Sequence, residues 1–112
     1  MPTTDLAEAA RQARRLVADL EAEAAAIAES TAEGPDDEHD VEGSSIGFER
    51  LRVAALLGMA EASLRATEEA LARQRAGQYG RCLSCHEPIG RDRLDALPTA
   101  ELCIDCARSS RA

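Results

Sequence analysis

Apolar residues recur at helical spacing along the first two thirds of the chain and change to a different grammar near residue 77. In the first stretch, Leu6, Ala13, Leu20 and Ile27 repeat every seven residues, and Ala9, Ala10, Leu16, Val17 and Ala24 fill the neighbouring positions of one stripe. This pattern predicts a helix over about residues 5–31, with Asp5 followed three residues later by Glu8 as a polar start. Gly34-Pro35 ends it, because proline disfavours a helical residue before it and glycine is permissive. A rod of roughly 26 residues is about 39 Å long.

The second stretch carries Ile46, Val53, Ala60 and Thr67 as one seven-residue series and Leu57, Leu64 and Leu71 as another, which predicts a helix over about 46–76. Ser44 and Ser45 are its candidate caps, Glu61/Arg65 and Glu69/Arg73 are i,i+4 pairs on its exposed side, and Gly77 and Gly80 bracket its end. Two helices of similar length with narrow stripes, joined by a polar connection, fold most simply as an antiparallel coiled-coil hairpin. Neither shows the bulky second stripe that a bundle interior requires, so a monomer is expected over a homodimer.

Past residue 79 the periodicity gives way to four cysteines at 82, 85, 103 and 106, spaced C-x2-C, seventeen residues, C-x2-C. This is the spacing of a tetrahedral thiolate zinc site. Four ligands close the coordination sphere, so one structural zinc is expected, supplying folding energy to a segment too short for its own core. Disulfides and a haem attached through Cys82-Leu83-Ser84-Cys85-His86 both need an exported protein, and the N-terminal run lacks the apolar stretch of a signal peptide. His86 is expected beside the metal or in solvent rather than on it. The expected division is a helical hairpin over 1–78, with an acidic tip at 33–45, and a zinc finger with a short tail over 79–112.

Composition narrows the partners. The chain has 112 residues, 2% aromatic content and no tryptophan, which suits thin, alanine-rich helix packing rather than a thick core. The net charge of −8 opposes binding to nucleic acid, and no run approaches the length of a membrane span. With reduced cysteines, the protein is expected in the cytoplasm. Between Glu33 and Glu42 six of ten residues are acidic, and Asp37 and Asp40 stand one helical turn apart. An acidic loop is commonly a solvated turn, but at the end of a stiff rod it is also placed to enter a partner. His39 among these acids is read as solvated. No serine, histidine and acid constellation is visible, so an enzyme is not expected.

The cysteines are embedded in a longer pattern: Tyr79-Gly80-x-Cys82-x-x-Cys85, Pro88-Ile89-Gly90, Arg93-Leu94-x-Ala96 and Pro98-Thr99-Ala100-x-x-Cys103. In this order they closely resemble the zinc finger of the DksA/TraR transcription regulators, a family that places a helical hairpin before the finger. The resemblance implies a non-enzymatic regulator that binds RNA polymerase, without sequence-specific DNA contacts of its own, and passes the hairpin through the secondary channel to modulate initiation. It also implies that Asp40 is the acting tip residue, supported by Asp37, with Glu42 where the family has alanine. Alarmone binding is not carried over, since two of the family's basic positions are Leu97 and Ala107 here. Six residues follow Cys106, so the family's usual C-terminal helix is not expected. Two other readings stand beside this one: an adaptor for another protein, and a GATA-like DNA-binding finger. The second needs basic residues, and His86 to Leu102 holds two arginines against four acids.

Overall fold

The computed structural model describes residues 5–33 and 40–110, and side chains over 5–30 and 45–110. Four helices follow one another: α1 (Leu6–Glu33), α2 (Asp40–Arg75), α3 (Arg91–Ala96) and α4 (Ile104–Ser110). The described residues contain no strand; one isolated antiparallel bridge joins Arg81 and Pro88. This is a mainly α protein, a helical hairpin followed by a small four-cysteine finger.

Asp5 starts α1 as its sequence suggests, its Oδ1 accepting the Glu8 N–H at 3.1 Å. The end of α2 is closed by a Schellman arrangement. The Gln78 N–H donates to the Arg73 carbonyl at 2.8 Å and the Gly77 N–H to the Gln74 carbonyl at 3.0 Å. Gly77 takes a φ of 76°, which explains glycine at that position.

At the other end, α2 begins at Asp40, about six residues ahead of the sequence expectation, so Ser44 and Ser45 lie inside the helix and cannot cap it. No proline interrupts residues 40–46, and Asp40 and Glu42 sit at the positive end of the helix dipole, which favours the early start. Residues 34–39, including Gly34-Pro35 and Asp37, lie outside the described residues.

The chain divides into two compact units. One is formed by α1 up to Arg11 together with everything from Arg65 onward, the other by Gln12–Leu64. In the first, Leu6 and Ala10 of α1 pack with Ala70 and Leu71 of α2, and Ala7 and Tyr79 close over them. In the second, Ala13, Val17, Leu20, Ala24 and Ile27 of α1 are buried or half-buried, as are Ile46, Val53, Leu57, Ala60 and Leu64 of α2. Glu23 of α1 pairs with Arg52 of α2 at 3.5 Å. The start of α1 thus meets the end of α2, and its later turns meet the earlier turns of α2, so the helices run antiparallel.

Spacing alternates by three and four along the α1 seam, and Leu16 falls one step off it; this residue is 51% exposed. A larger departure lies on α2. Phe48 is 73% exposed, and Leu51 and Met59 are each 68% exposed. Contrary to the sequence expectation, α2 does carry a bulky second stripe, which a search along heptads misses because it lies on the far side from the seam.

Candidate metal centre

Two short turns bring the four thiols together. The first begins at Gly80, whose φ of 85° is open to glycine and whose missing Cβ would stand 3.3 Å from Leu94 Cδ1. The Cys82 N–H then donates to the Glu87 carbonyl at 2.8 Å, and the His86 N–H to the Cys82 carbonyl at 2.9 Å. The turn closes through a left-handed residue, His86, at a φ of 66°. Ile89, buried, donates its N–H to the Gly80 carbonyl at 2.7 Å and holds the ends of the loop together.

The second turn is the start of α4. Cys103 precedes the helix, its carbonyl accepts the Ala107 N–H at 2.9 Å, and its Sγ lies 3.5 Å from the Cys106 backbone nitrogen. A C-terminal tail expected without a helix is therefore helical over Ile104–Ser110, because an i,i+3 cysteine pair suits a first helical turn. The turns are joined directly: the Leu83 N–H donates to the Glu101 carbonyl at 2.9 Å.

All four sulfurs lie within 4.8 Å of one another, and Cys85 and Cys103 Sγ are 3.9 Å apart. A tetrahedron with metal–sulfur bonds of about 2.3 Å has sulfurs about 3.8 Å apart, so the cluster fits a zinc ion. Among the described residues these cysteines form the one group of three or more metal-ligating side chains, and no carboxylate or imidazole joins it. His86 is exposed. His39 lies outside the described residues.

The thiols differ in acidity. The Cys85 backbone N–H beside its sulfur lowers Cys82 to about 6, whereas the sulfur of Cys103, followed by those of Cys85 and Cys82, pushes Cys106 up to about 12. Cys85 is also raised, burial and the Cys82 and Cys103 sulfurs outweighing the Glu87 N–H that favours its thiolate. At neutral pH the metal-free site therefore holds Cys82 mostly as thiolate and Cys85 and Cys106 as thiols. Zinc requires thiolates, so loading expels protons, at least those of Cys85 and Cys106. Affinity is expected to fall at least about a hundredfold per unit of acidification below pH 8, measured by competition with a chelating dye at several pH values. A slope below two protons per zinc would contradict this.

Motif residues brace the finger from within, and Arg73 ties it to α2. The Tyr79 O–H donates to the Pro98 carbonyl at 2.9 Å, and burial raises its pKa, so the phenol stays a neutral donor. Arg93 Nε donates to the Leu102 carbonyl at 2.9 Å. Arg73, assigned by sequence to an exposed pair with Glu69, instead reaches the Thr99 carbonyl at 3.5 Å and the Glu101 carboxylate at 3.7 Å. Nothing in local spacing marks that role, since its partners lie 26 and 28 residues on.

A family model for the prokaryotic dksA/traR C4-type zinc finger matches residues 77–111. Two curated proteins, each named RNA polymerase-binding transcription factor DksA, are 44% identical over 43 residues; they come from Haemophilus influenzae and Escherichia coli K12. That stretch is 38% of this chain and only 30% and 28% of theirs. The solved structure of transcription factor DksA2 from Pseudomonas aeruginosa matches 95% of this chain and 77% of its own length, at 30% identity and a TM-score of 0.77. The chain belongs to the DksA/TraR family. Its finger is a C4 zinc finger with one structural zinc, and Tyr79, Arg93 and the Pro98-Thr99-Ala100 run are the residues that brace it. Of the residues expected at the hairpin tip, Asp40 and Glu42 fall in the first turn of α2, and Asp37 is outside the described residues. Leu97 ends α3 with its side chain half exposed, and Ala107 lies within α4; neither offers a cation to a phosphate.

Proposed function

We propose that this DksA/TraR protein is a non-enzymatic transcription regulator that binds RNA polymerase in the cytoplasm and inserts the hairpin tip into the secondary channel to modulate initiation. The observation that carries the reading is the match to DksA2 across 95% of the chain, hairpin as well as finger. The DksA proteins that share the finger are named as RNA polymerase binders, which supports the choice of partner. Among the described residues no helix is long and apolar enough to cross a membrane.

Within this reading the zinc ligands are Cys82, Cys85, Cys103 and Cys106. The finger of 79–112 is a brace and the hairpin of 1–78 is the working part. Asp40 is the acting tip residue, and Asp37 and Glu42 are its acidic neighbours. Asp40 and Glu42 lie in the first turn of α2, and carboxylates are the ligands a bound divalent cation takes.

Polymerase pull-down and multi-round transcription with wild type and Asp40→Asn side by side provide the test. Both proteins are expected to bind, and only the wild type to change transcript yield. No co-purification of either with polymerase would sink the reading; equal effects of both would remove Asp40 from it.

A further inference from the structure

From Val53 to Ala60, α2 reads Val-Ala-Ala-Leu-Leu-Gly-Met-Ala, eight residues without a charge on any side. A helix apolar all round is normally covered all round, yet α1 covers only the Val53, Leu57 and Ala60 side. The opposite side carries Phe48, Leu51, Ala55, Met59 and Ala62 at spacings of three and four, all exposed. Arg52 is the one charged residue on the border of this row, and it is turned to Glu49 at 2.7 Å and Glu23 at 3.5 Å within its own chain.

The row is complementary to itself. Two copies of α2 laid antiparallel with Ala55 on the two-fold axis set Phe48 against Ala62, Leu51 against Met59 and Ala55 against Ala55. Each large side chain then faces a smaller or flexible one, as an isologous pair requires. Gly58 falls opposite Arg52 and Gly47 opposite Ser63. A Cβ on either glycine would meet nothing within 4 Å in the single chain, so nothing inside one chain calls for glycine there. Either glycine leaves room for a second helix backbone to approach.

We infer that this face of α2 is a self-association surface, pairing two copies of the chain as an antiparallel dimer centred on Ala55. This goes beyond the polymerase reading and replaces the monomer expected from heptads alone. The exposed row offers on the order of 500 Å² per chain and about 1,000 Å² per pair, the lower edge of a specific interface. The dimer is accordingly weak and reversible, with a Kd on the order of 10–100 µM.

Sedimentation equilibrium of the zinc-loaded full chain between about 5 and 500 µM tests this directly. Wild type is expected to show a monomer–dimer equilibrium, and Leu51→Glu and Met59→Lys each to weaken it at least tenfold. Both positions are exposed, so an unchanged far-UV spectrum confirms that the variants fold. Mixing them is expected to restore a heterodimer, because Glu at 51 of one copy then faces Lys at 59 of the other. A monomer at every concentration overturns the inference, as does a dimer that both variants leave intact. Failure of the mixture to re-pair overturns the antiparallel register. A monomeric wild type whose polymerase capture is lost on Leu51→Glu assigns the face to polymerase instead, and in that case the functional reading survives while this one falls.

Discussion

Cys103→Ser is expected to abolish stoichiometric zinc and unfold the finger while leaving most of the helical signal. Structural zinc binding to such fingers is worth about 10–16 kcal/mol at neutral pH, far more than any other single contribution available to so small a segment. The four sulfurs leave no spare ligand, since no carboxylate or imidazole among the described residues joins the group. The helices respond less, because α1 and α2 hold 28 and 36 residues against 6 and 7 in α3 and α4. Loss is expected to be confined to α3, α4 and the turns of α1 and α2 that pack in the same unit. Zinc content by a colorimetric chelator, read beside ellipticity at 222 nm, checks both halves. A Cys103→Ser protein that keeps full zinc would refute the four-thiolate assignment.

Leu6→Ala is expected to cost about 2–4 kcal/mol. Leu6 is 1% exposed and packs with Ala10, Ala70 and Leu71, where its neighbours are mostly too small to close over a cavity. Tyr79 also lies against that cluster while its hydroxyl holds the Pro98 carbonyl. Loosening Leu6 therefore loosens the attachment of the finger. A domain of this size has only about 5–15 kcal/mol in total, so the loss is a large fraction. Urea denaturation followed by ellipticity measures it, with Leu16→Ala as the control. Leu16 lies on the same helix but off the seam, and its truncation should change stability by less than about 1 kcal/mol. Equal losses from the two would mean that α1 does not pack along the seam described.

Both variants are legible in the sequence, for different reasons. A zinc site depends on few residues at short spacing, and two C-x2-C pairs confine the ligand search to those four sulfurs. A helical seam depends on many residues, but its period repeats, so the buried positions of α1 and α2 emerge from counting by sevens. Counting did not separate Leu16 from Val17. A 100° step per residue places both near the same edge, and the partner helix decides which one turns in. Boundaries were less legible. The early start of α2 depends on residues of weak propensity, Gly43, Ser44 and Ser45, whose state is decided by the helix they join.

By itself, then, the sequence determined a mainly α chain, an antiparallel hairpin and a four-thiolate finger, because periodic patterns and short ligand spacings are local properties. Tertiary structure alone decided that Arg73 clasps the finger through Thr99 and Glu101, that Ile104–Ser110 is a helix, and that Phe48, Leu51 and Met59 stand in solvent. These outcomes depend on which distant backbone or side chain comes within about 3–4 Å, or fails to, and such distances are set by packing rather than by sequence spacing.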